Sequence, residues 1–197
     1  MGLTIHYNGK FNEKASLSGM IEEVKDIAEI YNWQYTIYES QFPADSFDND
    51  SFNEYIYGIT FTPPESESVF LSFLSNGRMS SPAHLKYFGN SSDKSERKYL
   101  YMLSTKTQFA GSNIHKLTVH LLKYISKKYF KEFNVIDEGK YWETMDEKLL
   151  EDTFRRYNYL LDSVGFALEN VPMKVNETFE EYFTRVLKLI HNQDKKK

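Results

Sequence analysis

Lys106–Phe133 reads KTQFAGSNIHKLTVHLLKYISKKYFKEF. Ile114, Leu117, Thr118, Leu121, Leu122 and Ile125 recur at three- and four-residue spacing, and Tyr129, Phe130 and Phe133 extend the stripe. That period predicts an amphipathic helix with one buried face. Gly111 precedes Ser112, whose hydroxyl can accept from free N–H groups, so Ser112 is expected as the N-cap. The segments before this helix alternate as strands do, and those after it are helical. The stretch therefore reads as the hinge between a sheet and a helical layer.

Upstream, Leu3, Ile5 and Tyr7 alternate with polar residues and predict a half-buried strand closed by Asn8-Gly9. Leu17, Met20, Ile21, Val24, Ile27, Ala28 and Tyr31 then form a helical stripe. Trp33, Tyr35 and Ile37 predict a second strand, which a right-handed crossover would lay parallel to the first. Residues 40–54 read as an acidic loop pinned by Phe42, Phe47 and Phe52. Asp45, Asp48 and Asp50 there lack the glycine and terminal glutamate of a calcium loop. Tyr55–Thr62 and Val69–Leu74 predict two more strands around the stiff Pro63-Pro64 turn. Asn76-Gly77 is a hairpin-turn signal, with a short return to Ser81. Residues 89–98 read as a polar loop, and Tyr99–Thr105 as another strand.

Downstream, Val135-Ile136 is a short apolar step, and Asp137-Glu138-Gly139-Lys140 is a turn. Thr144–Glu147 and Thr178–Glu181 are capping boxes, in which hydroxyl and carboxylate satisfy each other's free N–H groups. They open helices carrying Leu150, Phe154, Tyr157 and Leu161, and Phe179, Tyr182, Phe183, Val186, Leu187 and Ile190. Gly165 is expected to end the first of these. Strands grouped together and helices grouped together predict an α+β fold. The expected layout is a mostly antiparallel sheet of about five or six strands, a crossing N-terminal helix and three C-terminal helices in two-layer packing. All of residues 1–197 are expected in one domain, with residues 134–197 a helical extension packed on residues 1–133.

Composition narrows the chemistry. There is no cysteine, which excludes disulfides, thiolate nucleophiles and thiolate metal sites. A net charge of −4 and the scatter of lysines along helix faces disfavour nucleic acid, despite the Lys195-Lys196-Lys197 tail. The Met1-Gly2 start is followed by His6, not the Ser or Thr of a myristoylation signal. No leader-like block and no 18-residue apolar run are present, so no membrane contact and a cytoplasmic location are expected. Phosphate-loop, dinucleotide, nucleophile-elbow and HExxH patterns are all missing.

Two clusters remain. Lys106, Gln108, Ser112 and His115 surround a strand end and a helix start, where free N–H groups attract anions. Asp137, Glu138 and Glu143 gather around Trp142, a pattern that suits a cation or a sugar. His115 and His120 are five apart and so about 140° apart on a helix, which does not serve one metal ion. His115 is expected to be a partly exposed residue of the first helical turn. No metal or cofactor is expected. The reading is a cytoplasmic, non-enzymatic binding or protein-interaction domain for an unknown protein or small-molecule ligand, with self-association left open. The alternative is an enzyme acting on a small anionic substrate in a cleft near Lys106–His115 and Asp137–Glu143.

Overall fold

The computed structural model of the protein describes residues 3–48 and 50–194. The Met1-Gly2 start, the Lys195–Lys197 tail and the Asp48 and Ile190 side chains lie outside the described residues. The chain is α+β, with two three-stranded antiparallel sheets. It divides into two compact units, residues 1–150 and 151–197.

The first unit holds every described strand. β1 (Thr4–Phe11) runs past Asn8-Gly9 instead of stopping there. α1 (Leu17–Ile30) buries the expected stripe, Leu17, Met20, Ile21, Val24 and Ala28, behind a Ser16 N-cap. β2 (Gln34–Ile37), β3 (Tyr57–Thr62) and β4 (Val69–Phe73) form one antiparallel sheet in the order β2-β3-β4. β2 therefore does not lie parallel to β1. Both edges of β1 are already taken, by β5 (Leu103–Lys106) and β6 (Phe130–Asp137), in the order β5-β1-β6.

Two short helices follow: α2 (Pro82–Phe88) occupies a stretch to which the sequence assigned no element, and α3 (Lys94–Arg97) lies within the expected polar loop 89–98. The sequence did carry a signal for α2, because Ser81 caps it and Pro82 opens it. Lys98–Tyr101 is a 3₁₀ turn, so only the end of the expected Tyr99–Thr105 strand is extended. α4 (Gly111–Tyr129) ends earlier than its apolar stripe, and the chain becomes β6 at Phe130. Ser112 is not its cap, since the helix starts one residue before it.

α5 (Tyr141–Thr144) is a single turn, followed by α6 (Glu147–Asn170). The first expected capping box does not form. Thr144 Oγ1 donates to the Lys140 carbonyl, and Asp146 Oδ1 takes the cap role by accepting from the Leu149 N–H. α6 continues through Gly165. The second box is present at α7 (Phe179–Asp194), with the Thr178 N–H donating to Glu181 Oε2 at 2.9 Å and the Glu181 N–H returning to Thr178 Oγ1 at 3.3 Å.

The two sheets join along a seam. Gly77 takes φ +78° and Asn76 does not, so the hairpin after β4 is the wider kind with one left-handed residue. A side chain at Gly77 would also collide with the Phe47 ring. The returning residues bridge both sheets: the Met79 N–H reaches Gly9 O at 3.0 Å and the Ser80 N–H reaches Ser72 O at 3.0 Å. Hydroxyls serve backbone groups where the ladder breaks. Ser72 Oγ donates to Ser80 O, Ser80 Oγ to Leu100 O and Thr105 Oγ1 to Ser68 O. The buried Tyr7 hydroxyl accepts the Phe70 N–H at 2.8 Å and lies 3.2 Å from Thr105 Oγ1. Burial pushes the Tyr7 phenol up to about 12, partly offset by the contacts with Thr105 and Phe70.

In the second unit the helices meet near their connecting loop. Ala167, Tyr182 and Val186 form a small buried cluster with Val164 and Val171 against it. The Tyr182 hydroxyl donates to Val171 O at 2.9 Å. Arg185 grips Glu177 through two nitrogens, both at 2.7 Å, and that pairing holds the Glu177 carboxyl down to about 2.

The seam generates a prediction. Tyr7→Phe keeps the ring and leaves the Phe70 N–H without its oxygen. It is expected to lower urea stability by about 1–3 kcal/mol, the cost of an orphaned buried donor. An unchanged unfolding midpoint would show that the seam is solvated.

Candidate functional site

The structure brings two of the candidate residues into direct contact and adds a third that the sequence reading passed over. His115 lies in the first turns of α4, Asp137 ends β6, and Thr107 follows β5. His115 Nδ1 is 2.7 Å from Thr107 Oγ1. Its Nε2 is 3.1 Å from both Asp137 oxygens. All three residues have a relative exposure of 0%. His115 is thus a core residue, not a partly exposed one. Its face of α4 is centred on Thr118, Val119, Leu122 and Ile125, which rotates the buried stripe away from Ile114 and Leu117.

Asp137 is the hub. Its Oδ1 accepts the Gly139 N–H at 2.7 Å, and its Oδ2 accepts those of Tyr141 (2.8 Å) and Trp142 (2.9 Å). The carboxylate thereby caps α5 and fixes the turn before it. Burial pushes the Asp137 carboxyl up. The His115 hydrogen bond and charge, with the Trp142 and Gly139 N–H groups, outweigh burial and hold it below the usual carboxylate range. A carboxylate can only accept, so Nε2 carries a proton and Nδ1 faces the Thr107 hydroxyl. Gly139 is required by close approach, because a Cβ there would stand 2.9 Å from His115 Nε2 and 2.8 Å from Leu150 Cδ1.

The other candidates are dispersed. Glu138 is exposed, accepts the Thr4 N–H at 2.9 Å and stands 3.8 Å from His6 Nε2. Lys106 lays its ammonium over Phe109, 5.3 Å from the ring centroid, and its N–H donates to Glu67. Lys123 does the same over Trp142 at 4.8 Å. Glu143 is exposed and Ser112 half-buried. Gln108 is 2% exposed, with neither amide atom hydrogen-bonded in the structure. His120 Nε2 is 3.1 Å from the Tyr141 hydroxyl, away from the His115 pair.

A hydroxyl, an imidazole and a carboxylate in line are the parts of a nucleophile–base–orienter set. Here they are sealed. Three cavities lined by described residues lie elsewhere, and none is lined by any of the sequence candidates. Among the described residues no group of three or more His, Asp or Glu could hold a metal ion. No protein-family model, curated protein or solved structure matches the chain.

What the set does is join three segments at one buried point. Removing the shared acceptor leaves buried N–H donors unpaired, at about 1–3 kcal/mol each. Asp137→Asn is therefore expected to cost about 3 kcal/mol or more in chemical denaturation, because its amide also opposes N–H donors. The pH dependence has a fixed sign. The carboxyl is held lower folded than unfolded, so its contribution is present above about pH 4 and is lost as pH falls through the folded value. The wild-type chain should lose stability more steeply than Asp137→Asn on acidification below about pH 4. Parallel acid profiles would refute the assignment.

Proposed function

We propose that the protein is a cytoplasmic, non-enzymatic interaction domain, with the α6–α7 helix pair as its partner-binding element. The observation that carries this reading is the apolar surface of that pair. Phe166 is 66% exposed, Phe179 70% and Leu187 47%, and Leu160, Leu161 and Leu168 are also exposed. On α7, Phe179, Phe183 and Leu187 follow each other at four-residue steps, which places them along one flank. The first two rings stack with centroids 6.0 Å apart. Exposed apolar side chains set in a row, as along α7, mark association sites more often than isolated apolar residues do.

The occupant to which this reading commits is a second copy of the chain. Acidic and basic residues balance in 151–197, while the whole chain carries −4, so two copies of the pair approach without net repulsion. Two helix pairs joined by a two-fold axis give a four-helix arrangement, the usual way to cover such faces. The sealed Thr107–His115–Asp137 set supports a binding role over a catalytic one. The cytoplasmic assignment rests on the cysteine-free composition, and no described helix is long and apolar enough to cross a membrane.

Light scattering after size exclusion is the test. The chain is expected to be dimeric at micromolar concentration, and Phe179→Lys with Leu187→Lys is expected to raise the dimer dissociation constant at least about a hundredfold, since each removes a buried anchor worth about 1.5–3 kcal/mol. A wild type that stays monomeric at about 100 µM, or a double variant that dimerises unchanged, overturns the reading.

A further inference from the structure

The sheet of β2, β3 and β4 has two unlike faces. Ile59, Phe61, Val69 and Leu71 fill one of them, all nearly or fully buried, and Trp33 stacks on Phe61 at 5.5 Å. The pairing register fixes what stands on the other. Gln34 lies opposite Thr62, and Thr36, Thr60 and Phe70 form a row across all three strands. Thr62 and Ser68 continue the first row, with their hydroxyls 2.8 Å apart. Tyr38 follows at the next step, its N–H donating to Gly58 O. Those side chains line a cavity of about 490 Å³.

Three properties of this cavity define its ligand. No residue lining it carries a charge, in a chain where 26% of residues do. Hydroxyl and amide groups make up its floor, and aromatic rings (Phe70 and Tyr38) stand beside them. At its centre, Thr60 is only 7% exposed, and its hydroxyl, buried, has no hydrogen-bond partner in the structure. An isosteric valine would avoid the cost of about 1–3 kcal/mol that an unpaired buried hydroxyl imposes. Thr60 lines the cavity, so a turn of its side chain brings this unpaired hydroxyl to a ligand seated there.

We propose that this face binds a neutral saccharide. An anion would find no positive charge here and a metal ion no carboxylate. A peptide strand would instead add to the free edge of β2 through backbone bonds. A sugar offers hydroxyls that donate and accept to Thr36, Thr60, Thr62, Ser68 and Gln34. Its C–H faces pack on the exposed side of a ring such as Phe70. Strands stand about 4.8 Å apart and alternate residues about 7 Å apart, so the floor spans about 10 by 7 Å, the footprint of one or two pyranose rings. This site is independent of the α6–α7 pair.

The experiment is an amide-shift titration of the full chain with maltose, cellobiose, lactose and diacetylchitobiose, each to about 20 mM, above the millimolar affinity of a shallow site. At least one disaccharide is expected to shift the amides of Thr36, Thr60, Thr62 and Phe70 in a saturable way. Thr60→Val is expected to weaken that binding at least about fivefold while leaving the melting temperature equal or higher, because it removes an unpaired buried hydroxyl. Gln34→Ala, at an exposed edge position, is expected to weaken binding also and decides the matter if Thr60→Val does not fold. Absence of saturable shifts with all four sugars overturns the proposal, as does binding that neither variant changes.

Discussion

An ionised carboxylate with no solvent exposure is tolerated only when nearly all of its acceptor capacity is used. Asp137 meets that condition with three backbone N–H groups and one imidazole. Each partner belongs to a different necessity of the fold. Gly139, Tyr141 and Trp142 turn the chain out of β6, and His115 fixes the start of α4 against it. Thr107 ties His115 to the end of β5, and the Thr107 N–H reaches Leu3 O at 3.0 Å at the start of β1. One charge thus sets the relative positions of three strands and a helix. The β5-β1-β6 sheet has its register by pairing, but it has its helical cover through this point.

The other sheet is attached by weaker and more numerous means. The seam between the sheets is made of hydroxyls placed where regular pairing stops, each satisfying one backbone group. A Ser or Thr there is neutral and short, so it does not bring the desolvation cost of a second buried charge. This division explains why the sheets are both antiparallel and yet separate: β1 has no free edge left for β4, and the return from the Gly77 turn fills only part of the gap.

The strands β1 to β4, the α1 stripe and the α7 capping box were legible because each depends on residues within about eight positions of one another, whereas β6 was hidden behind the extended helical stripe of Tyr129, Phe130 and Phe133. The misreadings share a cause. The expected α4 stripe held Ile114 and Leu117 at one margin, whereas the buried face runs over Thr118, Val119, Leu121, Leu122 and Ile125, and only tertiary contact sets that rotation. His115 lies four before Val119 and seven before Leu122, so it falls on this rotated face. The β1–β2 relation depended on residues 103–106 and 130–137 having already claimed both edges of β1, which no local pattern records. For the site, Asp137 and His115 were visible as chemistry, but Thr107 was hidden between Lys106 and Gln108, which look more functional. The Thr60 hydroxyl was invisible as a feature because an alternating strand expects a Thr on its polar face.

The energetics of the Thr107–His115–Asp137 set weigh on the choice between catalysis and binding. For a substrate to reach the Thr107 hydroxyl, α4 must part from β6 or the 138–142 turn must unfold. Either motion breaks the Asp137 network, at about 3–5 kcal/mol if the uncovered charge is not quickly resolvated. At 1.4 kcal/mol per factor of ten, the open form would hold about one molecule in a hundred to one in several thousand. Any rate through it would be reduced in proportion. A set built to act chemically gains from being held rigid beside an open cleft, whereas this one is held rigid with the cleft filled by Leu150 and Gly139. Rigidity without access is what a core requires of a polar cluster. The proposed binding reading accordingly turns to surfaces the core leaves exposed, the apolar flank of α7 and the uncharged face of the β2-β3-β4 sheet.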